Sequence, residues 1–348
     1  MRIPNTGDGT SRRRFLQGLA MLGVGAKTLL RSRDAGAAVY AAKSAGGVGT
    51  LPPMAYRNLG RTGFQASRLV FGCGAALSRG RKDELLAAAL DAGVNVFDVG
   101  FRGYYRDAEE NLAPFLKKAR DRVFLISKAI PTREIAPDET VTPAKAKAAA
   151  DAWLGYMDES LRELGVDSVD AYYVMGANNP SFIQSDEIQT AFERAKAAGK
   201  VRHLGLSTHQ NAEQVLEAAI ASGAYSLAMI AITPAGWYDW EDRGILPGTK
   251  TLVGLGPLLD RARAAGIGLV GMKAGRYLAG RKFLGWGKPD AFDDHYEQAF
   301  LESGLSPFQR SYAYVLAHGL DVVNADMHSF GHFEENFRAA AESTRFFA

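Results

Sequence analysis

The stretch 96–110, VFDVGFRGYYRDAEE, ends an apolar run on an acid, Asp98, and follows it with two phenols, Tyr104 and Tyr105. Thirty positions after the acid, a second apolar run, FLISKA, ends beside a lysine, Lys128. A lysine at the dry end of a strand needs a carboxylate partner. A cation next to a phenol favours the phenolate and lowers its pKa. Acid, phenol and lysine together would form a proton-donating relay suited to reducing a carbonyl. The same residues are also compatible with a structural ion pair flanked by surface tyrosines. The choice depends on whether the strands that carry them end in one place.

Short apolar runs recur at Arg68–Phe71, Val94–Val99, Val123–Ser127, Val169–Val174, Val201–Ser207, Leu227–Thr233, Gly268–Met272 and Val322–Ala325. Helix-length segments separate them: Lys82–Ala92, Asp107–Ala119, Pro143–Leu164, Ser181–Ala198, Asn211–Ser222, Leu252–Ala264, Pro307–His318 and Phe330–Glu342. In the third of these, Leu154, Met157, Leu161 and Leu164 form an apolar helical stripe. Continuously apolar runs suit a parallel sheet buried on both faces. Eight such β-then-α units predict an α/β fold, a (β/α)8 barrel. The rival, an open doubly wound sheet, has a glycine-rich turn after its first strand. Here GCGAAL (72–77) lacks the third glycine, and GIGLVG (266–271) precedes a strand instead of following one.

In such a barrel the C-terminal strand ends share one mouth, where the active sites of this fold lie. Asp98 and Lys128 are therefore expected to be close. Two long segments follow strands onto the same face. Pro234–Thr251 carries Trp237, Tyr238 and Trp240, and Ala274–Ser306 carries Tyr277, Phe283, Trp286, Phe292, Tyr296 and Phe300. They read either as loops packed on themselves or as the aromatic walls of a pocket.

The first 53 residues differ from the rest. They hold eight basic residues against Asp8 and Asp34, whereas the whole chain is +3, which leaves residues 54–348 at −3. The body gives no electrostatic case for nucleic-acid binding. SRRRFLQGLAMLGVGAKTLL (11–30) has a basic start and an apolar stretch, and Ala35-Gly36-Ala37 follows as a plausible cleavage site. The apolar stretch is interrupted by Lys27 and is too short to span a bilayer, which takes about 20 apolar residues. Arg12-Arg13 in SRRRFL resembles the twin-arginine export signal. The expectation is export by the twin-arginine translocation machinery to the periplasm, with residues 1–53 as signal and linker and 54–348 as the barrel. The single cysteine, Cys73, excludes an internal disulfide and a Cys-ligated metal cluster.

From Met54 onward the chain resembles the aldo-keto reductase family. The likeness is carried by MAYRNLGRTGFQASRLVFGCG (54–74), NVFDVG (95–100), AEENLA (108–113), VFLISKA (123–129), SVDAYYVMG (168–176), GKVRHLGLST (199–208), GIGLVGMKAG (266–275) and HFEEN (332–336). The resemblance implies a (β/α)8 barrel that binds NAD or NADP in extended form. It implies hydride transfer to or from a small carbonyl, hydroxyl or sugar-like substrate, with a tyrosine as acid supported by an aspartate and a lysine. By that likeness the catalytic set is Asp98, Tyr105 and Lys128. The family's tyrosine, five residues after its aspartate, would fall on Gly103, and the register of YRDAEE places it on Tyr105, with Tyr104 in reserve.

Met175 stands where the family usually has a histidine, and a thioether donates no hydrogen bond to a substrate oxygen. His209 could supply the missing imidazole, or be an ordinary loop histidine. For the cofactor the resemblance points to Ser207 and Thr208 at the nicotinamide amide. It points to Met327, His328 and Ser329 at the adenosine phosphate, and to Glu335 and Asn336 at adenine. Asp326 and His332 stand where the family often has Lys or Arg, and an aspartate would repel a 2′-phosphate, which favours NAD. An exported enzyme of this kind would carry its cofactor bound. The alternative is a non-catalytic binding protein on the same barrel, one that has lost the histidine at Met175.

Overall fold

The computed structural model describes residues 51–279 and 287–345. Residues 1–50 of the proposed leader, Phe283 and Trp286 lie outside the described residues.

Eight parallel strands form the barrel: β3 (Leu69–Gly72), β4 (Val96–Asp98), β5 (Phe124–Ala129), β6 (Val169–Met175), β7 (Val201–Thr208), β8 (Leu227–Thr233), β11 (Gly268–Met272) and β12 (Val322–Asp326). They pair in that order, β12 pairs with β3, and so the ring closes. Helices connect them on the outside. They are α1 (Cys73–Leu77), α2 (Asp83–Asp91), α3 (Arg102–Tyr105), α4 (Ala108–Ala119), α5 (Pro143–Leu164), α6 (Pro180–Ile183), α7 (Asp186–Ala197), α8 (Ala212–Ser222), α9 (Leu252–Ala264), α10 (Gln298–Leu301), α11 (Pro307–Ala317) and α12 (Phe330–Ala341).

Local chemistry sets the helix ends. The Thr142 side chain caps α5 with Pro143 as its first residue, and Gly165 ends it at φ 64°. Ser306 and Gln309 form a reciprocal capping box on α11. The segment 181–198, expected as one helix, is two. The Asn179 side chain accepts from Phe182 N and starts α6, and the chain breaks before α7 begins at Asp186.

The strands are buried on both faces. Outward-facing residues such as Phe97, Leu125 and Leu206 join the helices in the larger core. Inward-facing Val70, Val96, Ile126, Ala171, Tyr173, Met229 and Val270 fill the barrel. Its floor is closed by the hairpin of β1 (Tyr56–Asn58) and β2 (Gln65–Ser67), whose Leu59 and Phe64 pack against that inner cluster. Two further buried acids lie at strand starts. Asp170 pairs with Arg120 at 2.9 Å and accepts from Leu125 N, and Asp321 pairs with Arg57 at 3.0 Å and accepts from Leu269 N. Both tie structure together at the end opposite the mouth. Asp98, the last residue of β4, is at the other end of its strand.

Candidate active site

Strands β4 and β5 deliver Asp98 and Lys128 to one point. Lys128 Nζ lies 2.5 Å from both Asp98 oxygens and donates to the Val99 carbonyl at 2.7 Å. Asn324, on β12 and separated from β4 by β3 alone, donates from Nδ2 to Asp98 Oδ2 at 2.7 Å. Val99 and Asn324 thus fix one carboxylate–ammonium pair, which is almost fully buried. Burial pushes the Asp98 carboxyl up, while Lys128 and Asn324 pull it back.

Tyr105 ends α3 and lies over this pair, its ring centroid 5.5 Å from Lys128 Nζ. Two glycines make room for the ring. A Cβ on Gly74 would come within 2.6 Å of it, and one on Gly100 within 2.9 Å. Tyr104 packs edge-on against Tyr105 at 4.7 Å, one layer further out. Of the two phenols, Tyr105 is therefore the one against the pair. The expected lowering of its pKa is not found. Burial pushes the Tyr105 phenol well up, and Tyr104, Asp326 and Asp98 push the same way. The ring is buried, and Lys128 directs its ammonium hydrogens at Asp98 and Val99 and not at the phenol.

Met175 ends β6, buried, opposite Ser207 of β7. The Ser207 hydroxyl is buried without a hydrogen-bond partner among the described residues. An orphaned hydroxyl at a strand end is costly unless a ligand satisfies it, and a carboxamide would do so. Thr208 instead donates its hydroxyl to the Gln210 carbonyl at 2.7 Å. His209 is packed on Trp240, ring centroids 5.4 Å apart, and burial with nearby Lys273 and Lys128 pushes it down to about 3. It is a neutral imidazole at physiological pH.

On the β12 side, Met327 is buried and His328 is half-buried, with its ring 6.2 Å from that of His332. Ser329 caps α12 by accepting from His332 N. Glu335 accepts from the Ser306 hydroxyl at 2.7 Å, so its carboxylate already helps join α12 to α11. Asn336 is half-buried on the same helix, and Asp326 is exposed. The positions expected for catalysis and cofactor binding thus lie at or just beyond the C-terminal ends of β4, β5, β6, β7 and β12.

The aromatic segments divide between the two readings. Trp237, Tyr238, Phe292 and Phe300 are buried. β9 (Gly236–Asp239) pairs with β8, and β10 (Gly244–Ile245) pairs with β9, so the first segment is a structured hairpin. Trp240 and Tyr277 remain half-buried against the cluster that fills the barrel. The sequence reading missed Asn324, Gly74, Gly100, Lys273 and the fixed place of Trp240. Only Lys273 had a sequence signal, a charge directly after the apolar run GLVGM.

Residues 69–239 match the Aldo/keto reductase family model. The aldo/keto reductase match spans β3 to β9 and includes Asp98, Tyr105, Lys128, Met175, Ser207 and Thr208. No curated protein matches the sequence. Among solved structures, the chain is similar to a thermostable aldo-keto reductase, Tm1743, in complex with the inhibitor epalrestat, with 21% identity and TM-score 0.60 over 84% of this chain and 98% of that one. It is also similar to a proposed aldo-keto reductase from Pseudomonas aeruginosa, with 20% identity and TM-score 0.57 over 83% and 95% of the two chains. At these identities the likeness is one of fold. Among the described residues, no group of three His, Cys, Asp or Glu side chains could hold a metal ion, and no helix is long and apolar enough to cross a membrane.

Proposed function

We propose that this chain is a dinucleotide-dependent oxidoreductase of aldo-keto reductase type that reduces a carbonyl, with Tyr105 as the acid. The observation that carries this reading is the Tyr105 ring held over the buried Asp98–Lys128 pair, inside the segment that matches the family. Bound NAD(P)H would supply the hydride. The chain's own residues supply the rest. A phenol whose pKa is raised stays protonated at neutral pH, and so has a proton to give. Lys128, close to the ring, would offset the negative charge left on the phenol, and Asn324 and Asp98 hold Lys128 in place. Ser207 offers its unpartnered hydroxyl to a nicotinamide carboxamide. Asp326 favours NAD over NADP by repelling a 2′-phosphate. The neutral imidazole of His209 is a donor in the neighbourhood where Met175 provides none.

The leader supports export. On this reading, Arg12 and Arg13 address the folded, cofactor-loaded protein to the twin-arginine translocation machinery and the periplasm.

A binding-protein reading draws on Met175 and on the fully engaged Lys128 ammonium. The deciding experiment has two parts. Denaturing mass spectrometry of the purified protein should release NAD or NADP. The protein should then oxidise NADH with at least one member of a panel of aldehydes, ketones, quinones and sugars. A protein that binds such compounds but turns over none would favour the binding reading.

A further inference from the structure

Tyr105 is carried by α3, which is four residues long and contains Gly103. So short a helix is not stable by itself, since isolated helices are marginal below about 12–15 residues, and a glycine weakens it further. It ends on Arg106, whose backbone is left-handed, at φ 56° and ψ −124°. A residue with a Cβ keeps that conformation only where its surroundings impose it. The forces that place the phenol therefore come from contacts of α3 with other elements.

Arg102, the first residue of α3, makes most of those contacts. Its carbonyl accepts from the Arg106 amide at 2.9 Å, across the whole helix. Its guanidinium meets three carboxylates on two other helices. Nε lies 2.5 Å from Glu163 of α5, Nη1 2.7 Å from Asp107 at the start of α4, and Nη2 2.5 Å from Glu110 in the first turn of α4. Glu163 and Glu110 push the guanidinium pKa up, so its charge is permanent. Exposed ion pairs contribute little one by one, but a network fixes a geometry. Here one member, Glu163, is only 12% exposed. The preceding residue extends the hold. The Phe101 amide donates to the Lys128 carbonyl at 2.9 Å, and its ring packs on Tyr156 of α5 at 5.0 Å. The segment that carries Tyr105 is thus tied to β5, α4 and α5 together.

We propose that Arg102 is a positioning residue for Tyr105, holding α3 through Glu163, Asp107 and Glu110 so that the phenol ring stays over the Asp98–Lys128 pair. Its effect on catalysis rests on the oxidoreductase reading above, whereas the placement of the ring does not.

Two measurements on the full-length protein test it. The first, ¹⁹F NMR with 3-fluorotyrosine at position 105, needs no turnover. Arg102→Met and Glu163→Gln should each shift or broaden that resonance. Arg102→Lys keeps the charge without the three-way fork and should lie between them and wild type. The second is single-turnover hydride transfer from pre-bound NADH to the best carbonyl substrate of the panel above. Arg102→Met should slow it by roughly tenfold or more, with dinucleotide affinity within about twofold of wild type. The same substitution should cost nothing further in Tyr105→Phe, because a misplaced phenol and an absent one are the same loss. Should wild type turn over no carbonyl, the oxidoreductase reading fails and the resonance alone decides the placement. The proposal is overturned if the resonance in Arg102→Met, with an unchanged circular dichroism spectrum, matches wild type. It is overturned too if Arg102→Met transfers hydride at the wild-type rate, or if it slows Tyr105→Phe as much as wild type.

Discussion

Lys128 Nζ lies 2.5 Å from each oxygen of Asp98, and with the Val99 carbonyl its three donors are all in use. None is left for the Tyr105 hydroxyl. Lys128 therefore acts on Tyr105 by charge and not by a hydrogen bond, and the pair is a rigid base on which the phenol rests. Breaking a buried pair by removing one partner typically costs about 3–5 kcal/mol, because a lone charge is left behind. Here Asp98 can take a proton, since burial already pushes its carboxyl up.

Lys128→Met should therefore abolish turnover yet still fold. With its carboxyl raised above the unfolded value, Asp98 is most compatible with folding when protonated, so the variant should lose stability as pH rises. Asp98→Asn in the same chain should remove that loss. Thermal melts between pH 5 and 8 check this. A variant whose melting point does not change over that range would refute the argument.

Gly74 is predicted to be intolerant of a methyl group. Its Cβ would lie 2.6 Å from the Tyr105 ring, so Gly74→Ala must displace the phenol from the pair. Turnover should fall by roughly 100-fold, the scale on which small misplacements act, while melting temperature falls by only a few degrees. Equal activity in Gly74→Ala and wild type would mean that the ring position is unimportant.

Glu109, in the first turn of α4, carries a pH dependence of its own. Burial raises its carboxyl to about 7, against the hydrogen bond that Ser127 donates to it at 2.6 Å and the pull of the Ser160 hydroxyl. Its folded pKa is above its unfolded one. Its favourable contribution is thus complete below about pH 4.5 and is lost as pH rises through about 7. Glu109→Gln keeps the acceptor for Ser127 and removes the titration. Denaturant unfolding at pH 5 and pH 8 should show the variant gaining on wild type at pH 8, and an unchanged difference would count against the assignment.

Much of this was legible in the sequence. The eight apolar runs each became a barrel strand because parallel strands buried on both faces admit few polar residues, which gives runs with clear ends. The nearness of Asp98 and Lys128 followed from the barrel alone. The register of YRDAEE favoured Tyr105 as the acid, and Tyr105 is the phenol whose ring lies over the pair, between two glycines. What could not be read was set by contacts between elements far apart in sequence. Asn324 reaches Asp98 from 226 positions away. The direction of the Tyr105 pKa depended on where the Lys128 donors point, which sequence does not encode locally.

On the proposed reading, cofactor choice follows from charge. Asp326→Lys should raise affinity for NADP relative to NAD by tenfold or more, because it replaces repulsion of the 2′-phosphate with attraction. Fluorescence titration of wild type and variant measures it. A wild type that strongly prefers NADP would contradict the role given to Asp326.

The central claim is that Tyr105 donates the proton. Its most direct test is single-turnover hydride transfer from pre-bound NADH to a carbonyl substrate, measured for wild type, Tyr104→Phe and Tyr105→Phe. Loss of a general acid typically costs about 10²–10⁴ in rate. Tyr105→Phe should lose that much while binding the dinucleotide within about twofold of wild type, and Tyr104→Phe should stay within about tenfold of wild type. Equal rates for wild type and Tyr105→Phe would contradict the account.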